Sequence, residues 1–124
     1  MKILICDDSS FARKQVLRAL PPQLGQEIQQ AQHGEEALTI IRRNEADLTF
    51  LDLTMPVMDG YTTLEHIQSE NLNTLVIVIS ADIQPEAQQR VQKLGAMDFI
   101  KKPVTQDKII EVLSKFGLLT QEET

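Results

Sequence analysis

The sequence predicts an α/β fold in which a five-stranded parallel sheet is covered by helices on both faces. Short apolar runs alternate with helix-like segments along the whole chain. Apolar runs of this length are typical of buried parallel strands. The connections between them are short, and strictly alternating strand–helix units of this kind form doubly wound sheets. The length of 124 residues suits a single domain with its own core.

Five short segments are predicted as strands, and two of them have a predictable place in the sheet. The second is polar, so we expect it at the edge of the sheet. The fourth is nearly all β-branched, which favours a central position. The five predicted strands cover about residues 2–6, 26–31, 47–51, 75–79 and 97–100.

The first three helices are predicted from apolar spacing and from residues that start or stop helices. The first covers about residues 10–20 and is stopped by Pro21-Pro22. The second opens at Gly34, and the third covers about 61–69 after a turn-rich loop. The inward positions expected on the first two helices are Ala12, Val16, Ala19, Leu20, Ala37, Leu38 and Ile41.

The last two helices have stronger end signals. Pro85 suits the first turn of the fourth helix and Gly95 its C-terminal cap. The fifth helix covers about residues 105–116, with Gly117 as its cap. The inward positions expected on these two helices are Ile83, Ala87, Val91, Leu94, Ile109, Val112, Leu113 and Phe116.

Composition excludes several classes of function. The net charge of −6 argues against direct nucleic-acid binding, which needs a basic face. A single cysteine excludes an intramolecular disulfide and a metal site built from cysteines. No apolar run approaches membrane length and no signal peptide is recognisable, so we expect a cytoplasmic protein without a membrane partner.

Acidic residues follow two of the predicted strands at the edge where ligands bind in such sheets. Asp7 and Asp8 follow the first strand and Asp52 follows the third. Two carboxylates about 4 Å apart repel by roughly 4 kcal/mol at an effective dielectric of 20. Three therefore require a cation or a raised pKa, and an all-oxygen ligand set selects a hard ion such as Mg²⁺. The alternative is that Asp7 or Asp8 merely caps the first helix.

A lysine and a serine are expected at the same edge. Lys102 follows the fifth strand, and its ammonium would either form a salt bridge with the acids or hold a phosphoryl group. Lys101 should point the other way, because side chains alternate along a strand. Ser80 ends the fourth strand and offers a hydroxyl.

Four motifs, each at a predicted strand end, together identify a family. They are Asp7-Asp8, Asp52 with the loop Thr54-Met55-Pro56-Val57-Met58-Asp59-Gly60, Ser80-Ala81, and Phe99-Ile100-Lys101-Lys102-Pro103. In this order they resemble the receiver domain of two-component response regulators, and the resemblance covers the chain from the first strand to the fifth helix. It agrees with the flavodoxin-like strand order 2-1-3-4-5, which is taken from known doubly wound sheets.

The resemblance implies a phosphorylation site. Asp52 would be the phosphoryl acceptor through nucleophilic attack by its carboxylate. Asp8, Asp52 and the backbone carbonyl of Thr54 would bind Mg²⁺ directly, with Asp7 acting largely through a water; Mn²⁺ could substitute. Lys102 would pair with a phosphoryl oxygen.

The resemblance also implies a switch. Ser80 would donate to the phosphoryl group, and Phe99 would turn inward when the loop after Ser80 moves. Thr54 and Asp82 would tune the lifetime of the phosphoryl group in a protein that catalyses its own phosphorylation and dephosphorylation. The Lys102–Pro103 peptide is expected to be cis.

The expected partners are a sensor histidine kinase, a possible phosphatase, and a protein target. The target would bind the face formed by helix four, strand five and helix five, where Gln84, Gln88, Gln89 and Gln92 form a polar ridge or are simply solvated surface. We expect a monomer or weak dimer, with a domain over 1–117. Residues 118–124 would be a short tail or the start of a linker in a longer regulator, with Leu118 and Leu119 either packed on the core or leading away.

Three other functions compete with this interpretation. A phosphohydrolase with an aspartate nucleophile would need a second acid two residues after Asp52, where the sequence has Thr54. A flavin-binding module would need a phosphate loop after strand one, where Asp7 and Asp8 place negative charge instead. A degenerate receiver used only for protein contacts would not need the complete acid set.

Overall fold

A computed structural model describes residues 1–24, 27–81 and 84–119 as alternating strands and helices. The strands are β1 (Lys2–Cys6), β2 (Glu27–Ala31), β3 (Leu48–Asp52), β4 (Leu75–Ser80) and β5 (Asp98–Lys101). The helices are α1 (Ser10–Ala19), α2 (Gly34–Arg42), α3 (Gly60–Ser69), α4 (Pro85–Lys93) and α5 (Gln106–Lys115). A short 3₁₀ turn, Pro22–Leu24, lies between α1 and β2.

The strands form one parallel sheet in the order β2-β1-β3-β4-β5, which confirms the predicted α/β fold and its order. Its register decides which residues share an edge. Cys6 pairs with Leu51, Asp52 with Ile79, and Ser80 with Lys101. These pairs lie at the same carboxyl edge of the sheet. Asp7, Asp52 and Lys102 are therefore close to one another at this edge.

Side chains alternate between two buried clusters, one on each face of the sheet. In β1, Ile3 and Ile5 belong to the cluster beneath α1 and α5. Leu4 and Cys6 belong to the cluster beneath α2, α3 and α4. This period of two is what a strand buried on both faces requires. β2 contains mostly exposed residues, as predicted for an edge strand.

Helices α2 to α5 all end in the same hydrogen-bonded turn. In each, a residue with positive φ follows the helix, and its amide and the next one donate back to carbonyls of the last turn. Gly95 and Gly117 fill this position after α4 and α5, as predicted. Asn44 and Asn71 fill it after α2 and α3. Pro85 occupies the first turn of α4, also as predicted, whereas Ile83 lies outside the described residues.

The prediction that Phe116 faces the core is wrong, because its side chain is 42% exposed. α5 ends at Lys115, and Gly117 turns the chain so that the Leu118 amide donates to the Leu113 carbonyl at 2.8 Å. Leu119 is buried beneath the end of the helix, and Leu118 packs against the same cluster. These two leucines therefore fill the space that Phe116 was expected to fill.

No helix among the described residues is both long enough and apolar enough to span a bilayer.

Candidate functional site

Three carboxylates meet at the carboxyl edge of the sheet. Asp7, Asp8 and Asp52 each place an oxygen within 4.8 Å of the others. Asp7 and Asp52 are buried, with 4% and 7% of their surface exposed, whereas Asp8 is exposed. The sequence predicted this meeting from the strand ends, and the register of β1 and β3 explains it.

Local hydrogen bonds fix the buried carboxylate of Asp7. Its Oδ1 accepts from the Ser9 amide at 2.9 Å, and the Asp7 amide donates to the Ala31 carbonyl at 3.1 Å. Arg13 donates through Nη1 to the Asp7 carbonyl at 2.7 Å. Ser9 is the N-cap of α1, since its hydroxyl accepts from the Ala12 amide. The alternative that Asp7 or Asp8 caps this helix is therefore wrong.

The ammonium of Lys102 bridges the two buried acids. Its Nζ lies 3.0 Å from Oδ2 of Asp7 and 3.1 Å from Oδ1 of Asp52. The Lys102 amide donates to the Ser80 carbonyl at 2.9 Å, which extends the β4–β5 ladder by one bond. Lys101 is exposed, as the alternation predicted, and the Lys102–Pro103 peptide is cis, as expected.

Burial and charge shift the pKa of both partners in this pair. Burial, followed by the charge of Asp7, raises the pKa of Asp52 even though Lys102 opposes the change. Burial lowers the pKa of the Lys102 ammonium, but the hydrogen bond to Asp7 and the charge of Asp52 outweigh it and raise that pKa overall. The pocket therefore favours binding of a further cation close to Asp52.

An open pocket of about 450 Å³ surrounds these groups. Its lining residues are Asp7, Asp8, Ser9, Asp52, Thr54, Ser80, Ala81 and Lys102. Ser80 is buried and Thr54 is exposed. Asp82 lies outside the described residues. The pocket thus combines carboxylates, hydroxyls and one ammonium, and its carboxylate oxygens suit a hard divalent cation such as Mg²⁺.

Gly60 allows the start of α3 to approach the Asp52 backbone closely. Its amide donates to the Leu53 carbonyl at 2.9 Å, and a Cβ at this position would collide with the Asp52 carbonyl oxygen. Asp59 is the N-cap of this helix and accepts from the Thr62 amide at 2.8 Å. The turn-rich loop predicted after β3 therefore begins beside the pocket and ends in a close backbone contact.

Phe99 lies outside the acidic pocket, on the strand that leads to Lys102. It is half-buried and packs against the cluster beneath α4. It also lines a groove of about 330 Å³ between α4, β5 and α5, together with Gln88, Val91 and Phe116 among others. Gln84, Gln88, Gln89 and Gln92 are exposed along α4. The structure thus places the predicted switch aromatic in the wall of this groove, three residues before Lys102.

Three residues contact Asp7 or the backbone beside Lys102 but were not predicted from the sequence: Ser9, Arg13 and Lys108. Ser9 has a sequence signal, because a serine before an apolar-periodic segment is a good N-cap. Arg13 and Lys108 donate to backbone carbonyl oxygens of residues that precede their helices, across the turn that starts each helix. Such contacts leave no spacing pattern that identifies them.

Residues 3–114 match the family described as the response regulator receiver domain. Chemotaxis protein CheY of Bacillus subtilis is 32% identical over 114 residues, which are 92% of this chain and 95% of that protein. A protein-glutamate methylesterase/protein-glutamine glutaminase of Halalkalibacterium halodurans is 40% identical over 106 residues. That match covers 83% of this chain but only 30% of the longer protein.

Solved structures agree with the sequence relatives. CheY in a CheX–CheY–BeF₃–Mg²⁺ complex of Borrelia burgdorferi superposes with a TM-score of 0.85 at 34% identity, covering 94% of this chain and 89% of that chain. The receiver domain of AraT, a response regulator from Geobacillus stearothermophilus, gives a TM-score of 0.82 at 31% identity and covers 99% of this chain and 98% of that one. Both likenesses extend over nearly the whole chain.

Proposed function

The chain belongs to the family of response regulator receiver domains, and from this we propose that it is a signalling switch turned on by phosphorylation of Asp52. The observation that supports the acceptor is the pocket itself. Asp52 is buried beside Asp7 and Asp8 and is held by an ammonium at 3.1 Å, yet it lines an open pocket. A carboxylate placed in this way can be reached by a phosphoryl donor, and its oxygen can attack phosphorus.

The acidic cluster would hold Mg²⁺. Asp8, Asp52 and the Thr54 carbonyl would be direct ligands and Asp7 would act through water, with Mn²⁺ as a possible substitute. When bound, the ion neutralises negative oxygens of the phosphoryl group. Support for this comes from the three carboxylate oxygens within 4.8 Å of one another and from the complex of B. burgdorferi CheY, which contains Mg²⁺.

The chemical step is a transfer of the phosphoryl group between two oxygen or nitrogen nucleophiles. A carboxylate oxygen of Asp52 forms a bond to phosphorus as the bond from phosphorus to the donor breaks. The donor keeps that electron pair, so a phosphohistidine whose other ring nitrogen is protonated leaves as neutral imidazole, and Asp52 becomes an acyl phosphate. Lys102 then pairs with a phosphoryl oxygen, as expected for a charge-assisted hydrogen bond. Hydrolysis by water, tuned by Thr54 and Asp82, would return the carboxylate.

Phosphorylation would work as a switch because it changes which hydrogen bonds can form. It replaces a charge of −1 with one near −2 and adds acceptor oxygens. Ser80 and Lys102 would satisfy these oxygens, and each charge-assisted bond is worth about 1.5–3 kcal/mol. Two such bonds shift a two-state equilibrium by roughly two to four decades. Phe99, on the strand next to Ser80, would carry the change to the face of α4, β5 and α5.

The proposed partners follow from this role. A sensor histidine kinase would supply the phosphoryl group, a phosphatase would remove it, and a protein target would bind the face of α4, β5 and α5. We propose a monomer or weak dimer that acts in the cytoplasm without binding nucleic acid. The phosphohydrolase alternative has little support, because Thr54 stands where its general acid is needed.

The test is phosphorylation by a small-molecule donor. Acetyl phosphate with Mg²⁺ should place one hydroxylamine-sensitive phosphoryl group on the wild-type protein and none on the variant Asp52→Asn. Asp47→Asn is the matched control, because the Asp47 carboxylate accepts from the Lys2 amide rather than lining the pocket. Stoichiometric labelling of Asp52→Asn would show that another residue is the acceptor.

A further inference from the structure

Lys108 contacts the backbone on both sides of Lys102. Its Nζ donates to the Lys101 carbonyl at 3.1 Å and to the Pro103 carbonyl at 2.8 Å. These are the residues immediately before and after the lysine whose ammonium bridges Asp7 and Asp52. A single ammonium thus spans the turn that carries Lys102.

The positive charge of Lys108 lies in the first turn of α5, where it would be unfavourable without its two carbonyl partners. Lys108 is the third residue of α5, whose N-cap is Thr105, and its own amide donates to the Thr105 hydroxyl at 3.3 Å. Positive charge in the first turn opposes the helix dipole. The Lys108 side chain nevertheless folds back onto two carbonyls in solvent-exposed hydrogen bonds, and the residue is half-buried.

Hydrogen bonds hold this turn to elements on both of its sides. On one side the Lys102 amide donates to the Ser80 carbonyl at 2.9 Å, which fixes the turn to β4. On the other side the Lys108 ammonium fixes it to α5. The Lys102 side chain therefore extends from a backbone that is hydrogen-bonded to both β4 and α5. Its Nζ lies within 3.1 Å of both buried acids.

We propose that Lys108 is a positioning residue for phosphoryl transfer, acting through the Lys101–Pro103 backbone to hold the Lys102 ammonium over Asp52. This inference rests on the proposed function of Asp52. Lys108 touches neither the donor nor the acceptor and moves no proton. Its effect is to keep Lys102 in the place where a phosphoryl oxygen would arrive.

Three variants test the inference in the full chain. Lys108→Met keeps the aliphatic stem but removes the donors, and Lys108→Arg keeps a charged donor. Lys115→Met is the matched control, because Lys115 lies on the same helix, is 65% exposed and pairs with Asp98 at 3.6 Å, away from the turn. The first measurement is the rate of Asp52 phosphorylation by acetyl phosphate at saturating Mg²⁺. The second is Mg²⁺ affinity by calorimetry without donor.

Lys108→Met should phosphorylate roughly tenfold more slowly, since a misplacement of about 1 Å can cost up to a hundredfold in rate. Its Mg²⁺ affinity should not fall, because Asp7, Asp8 and Asp52 remain and a displaced Lys102 ammonium would no longer compete with the ion for Asp7 and Asp52. Lys108→Arg should restore most of the rate, and Lys115→Met should match the wild type. A purely structural role would not separate the rate from metal affinity in this way.

The outcomes distinguish this inference from the proposed function. If the wild type accepts no phosphoryl group on Asp52, the proposed function fails and the inference fails with it. If the wild type is phosphorylated and Lys108→Met reacts as fast as Lys115→Met, only the role of Lys108 is overturned. Equal losses of rate and Mg²⁺ affinity, or no recovery in Lys108→Arg, would also overturn it.

Discussion

The ammonium of Lys102 lies 3.1 Å from Oδ1 of Asp52 and is shared with Asp7, which it contacts at 3.0 Å. One cation therefore faces two buried carboxylates, with Asp8 nearby as a third acid. The effect of burial on the Asp52 carboxyl nevertheless exceeds that of Lys102, and the pKa of Asp52 is raised. Ionised Asp52 consequently destabilises the fold without a metal ion, and this should be measurable as a lower free energy of unfolding.

Replacing Asp52 with Asn should increase the free energy of unfolding at pH 7 in the presence of EDTA. The folded-state pKa of Asp52 lies above its unfolded value, so the destabilisation is absent below the unfolded pKa and complete above the folded one. The gain should shrink as the pH falls towards 4, where Asp52 becomes protonated in both states. Urea unfolding across this pH range measures it.

Asp47→Asn controls for loss of a carboxylate outside the pocket and should not show this gain. Mg²⁺ should stabilise the wild type and Asp47→Asn more than it stabilises Asp52→Asn. Lower stability of Asp52→Asn than of the wild type at pH 7 without metal would contradict the electrostatic account.

Replacing Ser80 with Ala should leave phosphorylation of Asp52 intact but weaken the switch. Ser80 is buried at the pocket and would donate to a phosphoryl oxygen only after the transfer. Losing one charge-assisted hydrogen bond of about 1.5–3 kcal/mol should lower the equilibrium constant for the active state by about one to two decades and so reduce the active fraction. NMR shifts of residues on α4 and β5, recorded with Mg²⁺ and beryllofluoride, report that fraction.

Ser69→Ala, on the exposed end of α3, is the control for the loss of a serine hydroxyl. An unchanged active fraction in Ser80→Ala would refute the proposed donation by Ser80 to a phosphoryl oxygen.

The thiol of Cys6 should be unreactive while the protein is folded. Burial, followed by the charges of Asp7 and Asp52, raises the pKa of Cys6 to about 12, and only 1% of the residue is exposed. Since the thiolate is the reactive form, Ellman's reagent at pH 8 should label the native protein only as fast as it unfolds. Labelling in urea should be complete and rapid. Labelling of the native protein at the rate of a small free thiol would show that the strand beside the acids opens locally.

The sheet and the acid cluster were predictable because each depends on a short segment of sequence. A buried strand followed by an acid is visible at Cys6-Asp7 and at Leu51-Asp52, and parallel strands bring their ends to one edge. The bounds of the elements shifted by a residue or so, as at β3, which begins at Leu48 and includes Asp52. Such shifts arise because the hydrogen bonds that end an element depend on its neighbours.

Other features depended on contacts that the sequence pattern does not contain. Asn44 and Asn71 end helices with positive φ, although only glycines were expected in that role. Asparagine tolerates this conformation, but the sequence does not show which asparagine must adopt it. The contacts of Lys108 were not predicted, because its two carbonyl partners come from a turn whose shape is set by the whole β5–α5 connection.

Phe116 was predicted to face the core, and the reason that it does not can be tested. Its spacing from Ile109 and Leu113 places it on the buried stripe of an ideal helix, yet the helix stops one residue earlier and Leu119 fills the core. Leu119→Ala should therefore cost about 2–4 kcal/mol of unfolding free energy, as expected for truncating a buried leucine. Phe116→Ala should cost less than about 1 kcal/mol, since the ring is 42% exposed and loses little burial.

Urea unfolding of both variants, followed by circular dichroism because the chain has no tryptophan, compares them directly. Leu17→Ala is a control for truncating an exposed apolar residue, with 38% of Leu17 exposed on α1. If Phe116→Ala cost as much as Leu119→Ala, the aromatic ring would belong to the core after all. If Leu119→Ala cost no more than Leu17→Ala, the chain after Gly117 would contribute no more to stability than a surface segment, and the packing of Leu119 would have to be abandoned.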